Sequence, residues 1–359
     1  MAGQENTTTL RRLLSQQKPR IPSNVTSSKN SINELWPEFK TAITIWDDFN
    51  LANLNESYGH VLDRAVPAHR LQAPLPDKAL EGLVIEIPGS VRHLMVWNDD
   101  VLRPTLDFAK SHLGLHPGIA LRHKYSNTNK TALASIHSEG KKTTVDHLIE
   151  LDDFPLANLV VGLARPSSKW SSRKLAHQLD STTKAILWPL RQLAKTCESA
   201  NTRYGYIQTE EEMVVCCFSK NSNGWKAAIM PIPWTRHGVD TLTTDLALWW
   251  LCMLAMSDPQ SRAIIEEREM IKINAWDIAY LNEERGWVRR HRYSGFEEPT
   301  NPLPPPTYNT PSPGNMAAFE AGVGLNANND WPDFADPANN LSFLGDFDLD
   351  ADLTMLYDP

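Results

Sequence analysis

The period of the hydrophobic positions changes several times along the chain, and each change predicts an element. In residues 31–56, Leu35, Phe39, Ala42, Ile43 and Trp46 recur at three- and four-residue spacing, which predicts an amphipathic helix. The run LEGLVIEIPG at 80–89 predicts a short strand ended by Pro88-Gly89. In residues 98–115, Val101, Leu102, Leu106, Ala109 and Leu113 share one helical face, with Asn98 or Asp99 as cap and Pro104 in the first turn. Three strand patterns follow at 118–126, 142–151 and 156–165. The second alternates Val145, His147, Ile149 and Leu151 with Asp146, Leu148 and Glu150. The third, LANLVVGLAR, is continuously apolar, as a strand covered on both faces is.

Residues 172–202 return to helical spacing, through Leu175, Leu179, Ile186, Leu190, Leu193 and Cys197, with a kink expected at Pro189. YGYIQTEEEMVVCCFSK predicts a strand pair turning at Thr209-Glu210-Glu211, and GWKAAIMPIPW an edge strand. LTTDLALWWLCMLAM is apolar all round and predicts a buried helix; its apolar run is far short of the ~20 residues of a membrane span. The order of elements predicts an α/β (α+β) fold, a mixed central sheet flanked by helices.

Composition divides the chain. Residues 1–30 are polar, lack the apolar stretch of a secretory signal and are expected to be disordered; residues 31–295 form the body. Residues 296–359 open with a proline-rich stretch and are also expected to be disordered. The net charge of −8 is uneven, because no Lys or Arg follows Arg292. The body is near neutral, so no global field proposes nucleic acid as partner. Four cysteines without Cys-x-x-Cys spacing read as reduced core thiols of a nuclear or cytoplasmic protein.

The candidate chemistry lies in VVGLARPSSKW, residues 160–170, where a strand runs into a polar turn. In order along the chain, this stretch, QLAKT, RYGYIQTEEEMVV, PIPWT and LTTDLALWWLCMLAM resemble the motifs of a group of fungal PD-(D/E)XK nuclease-like proteins. The resemblance covers residues 145–256; residues 31–144 match loosely and the tails not at all. It implies a restriction-endonuclease-like core in which two carboxylates hold Mg²⁺ and a lysine serves the attacking water. Acid-x-Lys puts both groups on one strand face, because side chains alternate.

Carried over residue by residue, Asp146 matches the first acid, and the metal ligand if the site is active. Leu163 stands where the second acid belongs, Arg165 where the lysine belongs, Gln192 matches the glutamine of QxxxY, and Thr196 replaces its tyrosine. Leucine cannot coordinate a cation, and arginine holds phosphate without shuttling protons. The resemblance therefore implies a degenerate site and a binding or regulatory module, with no cofactor. The alternative is an active Mg²⁺-dependent nuclease in which Glu150, on the strand face of Asp146, takes over a carboxylate role.

Beside this, Arg165, Lys169, Arg173 and Lys174, with Trp170 among them, form a candidate phosphate-binding rim with a stacking aromatic, and a nucleic-acid contact; the plain reading is a solvated turn. Asp99 and Asp100 read as helix-capping residues or as an added site carboxylate, and the histidines lack metal-ligand spacing. EERGWVRRHRYSG at 283–295 reads as a basic patch or a helix C-terminus. The tail LSFLGDFDLDADLTMLYDP intersperses aromatics with aspartates, the composition of an acidic activation segment. Its expected partner is a protein; coregulation of transcription through this tail is a further alternative.

Overall fold

The computed structural model describes residues 6–26, 30–39, 43–125, 134–138, 141–173, 175 and 184–301. The helices used below are α1 (Leu10–Leu14), α2 (Leu51–Leu62), α3 (Arg92–His112), α4 (Trp188–Ser199) and α5 (Thr244–Met256). The strands used below are β1 (Thr44–Ile45), β2 (Leu121–Tyr125), β3 (Ala134–Ser138), β4 (Lys141–Val145), β5 (His147–Leu151), β6 (Ala157–Ala164), β7 (Tyr204–Gln208), β8 (Glu212–Asn221), β9 (Gly224–Pro233), β10 (Trp276–Asn282), β11 (Gly286–His291) and β12 (Glu297–Pro299).

The central sheet has seven strands in the order β1-β9-β8-β7-β6-β5-β2. β2, β5 and β6 form an antiparallel meander. The chain then crosses over through α4, and β7 lies parallel to β6. β8 and β9 continue antiparallel, and β1 adds to the far edge in parallel. The sheet is covered on both faces, which is why β6 reads as an unbroken apolar run. Leu148, Val161, Leu163, Leu190 and Leu193 pack in one cluster, and Ile149, Val160, Val215 and the whole of α5 in the other. The predicted mixed α/β sheet is thus present, with α5 buried along its entire length.

Several expectations change. Residues 1–30 are not a free tail over their described part. Thr9 caps α1, and Leu10 and Leu14 are fully buried against α2, α3 and α5. The polar composition hid two anchoring leucines and one buried lysine. Lys18 donates to Asp245 Oδ1 at 2.7 Å and to Thr244 Oγ1, with its ammonium 4.1 Å from the Trp234 ring centre.

The single helix expected at 31–56 is replaced by β1 and α2: Asn50 accepts from Asn53 N at 3.0 Å and starts the helix there. The strand expected at 80–89 is one bridge, Ile85 to Ser23. α3 begins at Arg92, so Asn98 and Asp99 sit inside it, and Pro104 lies mid-helix. Pro189, expected to kink a helix, lies in the first turn of α4, where its missing N–H leaves no bond unmade. Thr209 Oγ1 accepts from Glu211 N and Glu212 N at the expected hairpin turn.

The body also extends beyond residue 295. β10, β11 and β12 form a small antiparallel sheet, and the compact unit ends at Asn301. The basic run 283–295 supplies β11, neither a helix end nor an open cationic patch. Arg285 and Arg290 pair with Glu297, Arg289 with Glu298 and Arg292 with Asp277. The acidic tail from residue 302 onward lies outside the described residues. Among the described residues, no helix is long and apolar enough to cross a membrane.

Candidate functional site

Three of the residues singled out from sequence meet at one end of the sheet. His147 is paired with Gly162, so Asp146, just before β5, lies beside the end of β6. Its carboxylate accepts from Ala164 N–H at 3.0 Å and from Arg165 Nη1 at 3.3 Å through Oδ2, and from Arg92 Nε at 2.6 Å through Oδ1. Arg165 Nη2 donates to Gln192 Oε1 on α4 at 2.5 Å, and Arg165 N–H donates to Gln208 O at 2.9 Å. Burial pushes the Arg165 pKa down and Asp146 opposes it; a guanidinium keeps its charge regardless.

Arg92 is the member sequence reasoning missed. It is the first residue of α3, a helix expected to start six residues later, and no motif marks it. Leu163 is buried in the apolar cluster with Leu148, Val161 and Trp170. The position that carries a second carboxylate in the resembled motif is therefore part of the core. Glu150 is drawn away from Asp146: it pairs with Lys124 of β2 at 2.5 Å, beyond a bulge in the β5–β6 register. The bulge adds Leu159 to β6 and leaves the alternation of β5 intact, so it is the ion pair with Lys124 that holds the Glu150 carboxylate apart.

The proposed phosphate rim is not one surface. Arg165 points inward to Asp146 and Gln192. Lys169 is half-buried, its pKa lowered by burial and by Arg165, and Arg173 is exposed; Lys174 lies outside the described residues. Trp170 is fully buried and donates to Ile186 O at 3.0 Å, so it stacks on nothing external. What the turn does is structural. Glu210 accepts from Ser167 N and Oγ at 2.9 and 2.8 Å, and Glu212 accepts from Ser172 N and Oγ at 2.6 and 2.5 Å. Two carboxylates from the β7–β8 hairpin clamp the PSSKWSS turn by its hydroxyls and amides.

A second polar group lies under the other sheet face. His147 Nδ1 and the Tyr206 hydroxyl share a 2.5 Å hydrogen bond, and the His123 and His147 rings are 5.8 Å apart. Asp99 reaches His123 Nδ1 at 3.2 Å and pairs with Arg103 at 2.5 Å, so it neither caps a helix nor joins the Asp146 group. Burial lowers the His147 pKa to about 3 and pushes that of His123 well down, keeping both rings neutral. Among the described residues, no three His, Cys, Asp or Glu side chains converge to hold a metal.

Gly162 makes this arrangement fit. A Cβ there meets the Tyr206 ring at 2.5 Å. Gly162→Ala is expected to cost about 1–3 kcal/mol, the range for overpacking a rigid core, read as a lower midpoint in urea unfolding. Pairing it with Tyr206→Phe removes only the hydroxyl, one of the three nearest atoms, and is expected to restore little.

In chemical terms the Asp146 group is a carboxylate fully committed to two guanidiniums and an amide. Compared with family models, curated proteins and solved structures, the chain matches none.

Proposed function

We propose that this chain is a catalytically silent PD-(D/E)XK nuclease-like protein that works by binding. The sheet order supports the fold reading: a helix, a three-strand antiparallel meander, a crossover helix and a strand parallel to the third. The convergence of Asp146, Arg165 and Gln192, named from the resemblance alone, supports it independently.

One observation carries the silence. Asp146 has Arg92, Arg165 and Ala164 N–H on its oxygens, while Leu163 fills the place of the partner acid. A hard cation needs several oxygens, and two bound guanidiniums repel it. With Mg²⁺ or Mn²⁺, purified protein is expected to leave DNA and RNA uncut, at the level of an Asp146→Ala control. Cleavage that Asp146→Ala abolishes overturns the reading.

The partner in this reading is a protein, met through the acidic and aromatic segment 340–359. Fused to a DNA-binding domain, that segment is expected to activate a reporter, and alanine at Phe343, Phe347 and Leu356 to silence it. An inert fusion removes the partner assignment and leaves the silence of the Asp146 group standing.

A further inference from the structure

Many arginines of this fold are answered by carboxylates. Arg11 pairs with Asp63, Arg92 and Arg165 with Asp146, Arg203 with Asp258, and those of the small sheet with Asp277, Glu297 and Glu298. One cleft brings together two arginines, Arg64 and Arg70, that are not so answered among the described residues. It has a volume of about 410 Å³ and lies between the end of α3 and the segment that follows α2. Arg64, Arg70, Phe108, Ser111 and His112 line it, and among the described residues lining it none is acidic.

Arg64 Nη1 is 3.4 Å from His112 Nε2, a neutral acceptor, and neither Arg64 nor Arg70 has an ion pair among the described residues. The nearest acid along α3, Asp107, interacts with Arg103 and Lys110. Burial and Arg64 lower the His112 pKa, which favours its neutral form beside the guanidinium.

The segment is also held rigidly. Val66 and Pro67 pair with Thr8 and Thr7 of the N-terminal strap, and Ala68 N–H donates to Asn6 O at 2.9 Å. Two guanidiniums, an imidazole and a hydroxyl thus face one space from a fixed backbone, with the Phe108 ring stacked on His112 as an apolar wall. An anion that enters this cleft is attracted by both guanidiniums and gains forked hydrogen bonds from them.

From this geometry we infer that the Arg64–Arg70–His112 cleft binds the phosphate group of a small phosphomonoester whose apolar part lies on Phe108. A phosphate dianion matches two guanidinium forks, and the volume suits a small organic ligand. The site is separate from the Asp146 group and does not depend on whether that group cuts nucleic acid.

Phenyl phosphate is the probe, titrated calorimetrically into the full chain at low salt. It is expected to bind saturably, at least about tenfold tighter than inorganic phosphate, which lacks the ring. Arg64→Gln and Arg70→Gln, both on exposed side chains, are each expected to weaken it at least about tenfold at unchanged thermal stability. Arg173→Gln, an exposed arginine from the turn after β6, is the control and is expected to leave binding unchanged. Absence of saturable binding overturns the proposal. So does binding that survives both Arg64→Gln and Arg70→Gln, or that falls in Arg173→Gln instead.

Discussion

Removal of residues 1–20 is expected to unfold the body. The deletion strips Leu10 and Leu14, both with no exposed surface, from the main core. Each buried leucine is worth about 1.5–3 kcal/mol. It also removes Lys18, whose ammonium sits with Asp245 in a pair that is 0% and 1% exposed. Burial lowers the Lys18 pKa, and Asp245 is the main force raising it again. A buried carboxylate left without its partner costs about 3–5 kcal/mol. Together these losses approach the ~5–15 kcal/mol that holds a domain folded.

The single substitution Lys18→Met isolates the charge. It is expected to lose about 3–5 kcal/mol in urea unfolding, and Lys18→Met with Asp245→Leu to recover part of it, because no buried charge then stands alone. Recovery stays partial, since Trp97 Nε1 donates to the same carboxylate at 3.2 Å. A truncated chain with an unchanged melting temperature would overturn the assignment of residues 6–26 to the core.

Mild acid is expected to destabilise the protein steeply. Burial holds His147 near a pKa of about 3 and His291 near about 4, and pushes His123 well down. In the unfolded chain each returns to about 6.5. Below that value the unfolded state binds protons that the folded state refuses. Stability contributed by these rings is therefore full above about pH 6.5 and is lost as pH falls toward their folded values. Each ring contributes about 1.4 kcal/mol per pH unit to the slope, about 4 for the three together.

Carboxyls act in the opposite sense. Burial raises the pKa of Asp99, Asp258 and Glu212, so the folded state takes up protons there more readily than the unfolded chain, which softens the loss at the acid end. Urea midpoints at pH 7.0, 6.0 and 5.0 read the slope, and His147→Asn is expected to reduce it by one proton whatever it does to stability at neutral pH. Equal stability at pH 7 and 5 would show that these histidines are not held neutral.

Long periodic segments were readable from sequence because one physical rule decided them. α5 is apolar on all sides and lies wholly inside; β6 is apolar throughout and has a packed layer on each face. The turn at Thr209 followed from local chemistry. What failed was where local and tertiary preferences disagreed. Nothing in SQQKPR says that its lysine pairs with an aspartate 227 residues away. The start of α3 at Arg92 was missed because Asn98 and Asp99 look like caps, whereas they serve buried polar groups: Asn98 donates to Gln208 Oε1 at 3.4 Å. The candidate site was legible to the extent that its members lie at strand or helix positions with a motif. Arg92 has none, and the pairing of Glu150 with Lys124 of β2 leaves no trace in the pattern.

The clasp between the N-terminal strap and α5 also bears on how the chain is made. Lys18 leaves the ribosome 227 residues before Asp245. At roughly 5–20 residues per second, this interval is on the order of 10–45 s. β1 waits almost as long, since its partner β9 begins at Gly224. Throughout that time Leu10 and Leu14 have no α5 to cover them. The two-sided core cannot close domain-first from the N-terminus during translation; it closes last, when the final buried helix arrives. Nascent chains stalled before residue 244 should therefore expose the strap to protease and to chaperones, and chains stalled well beyond residue 301 should protect it.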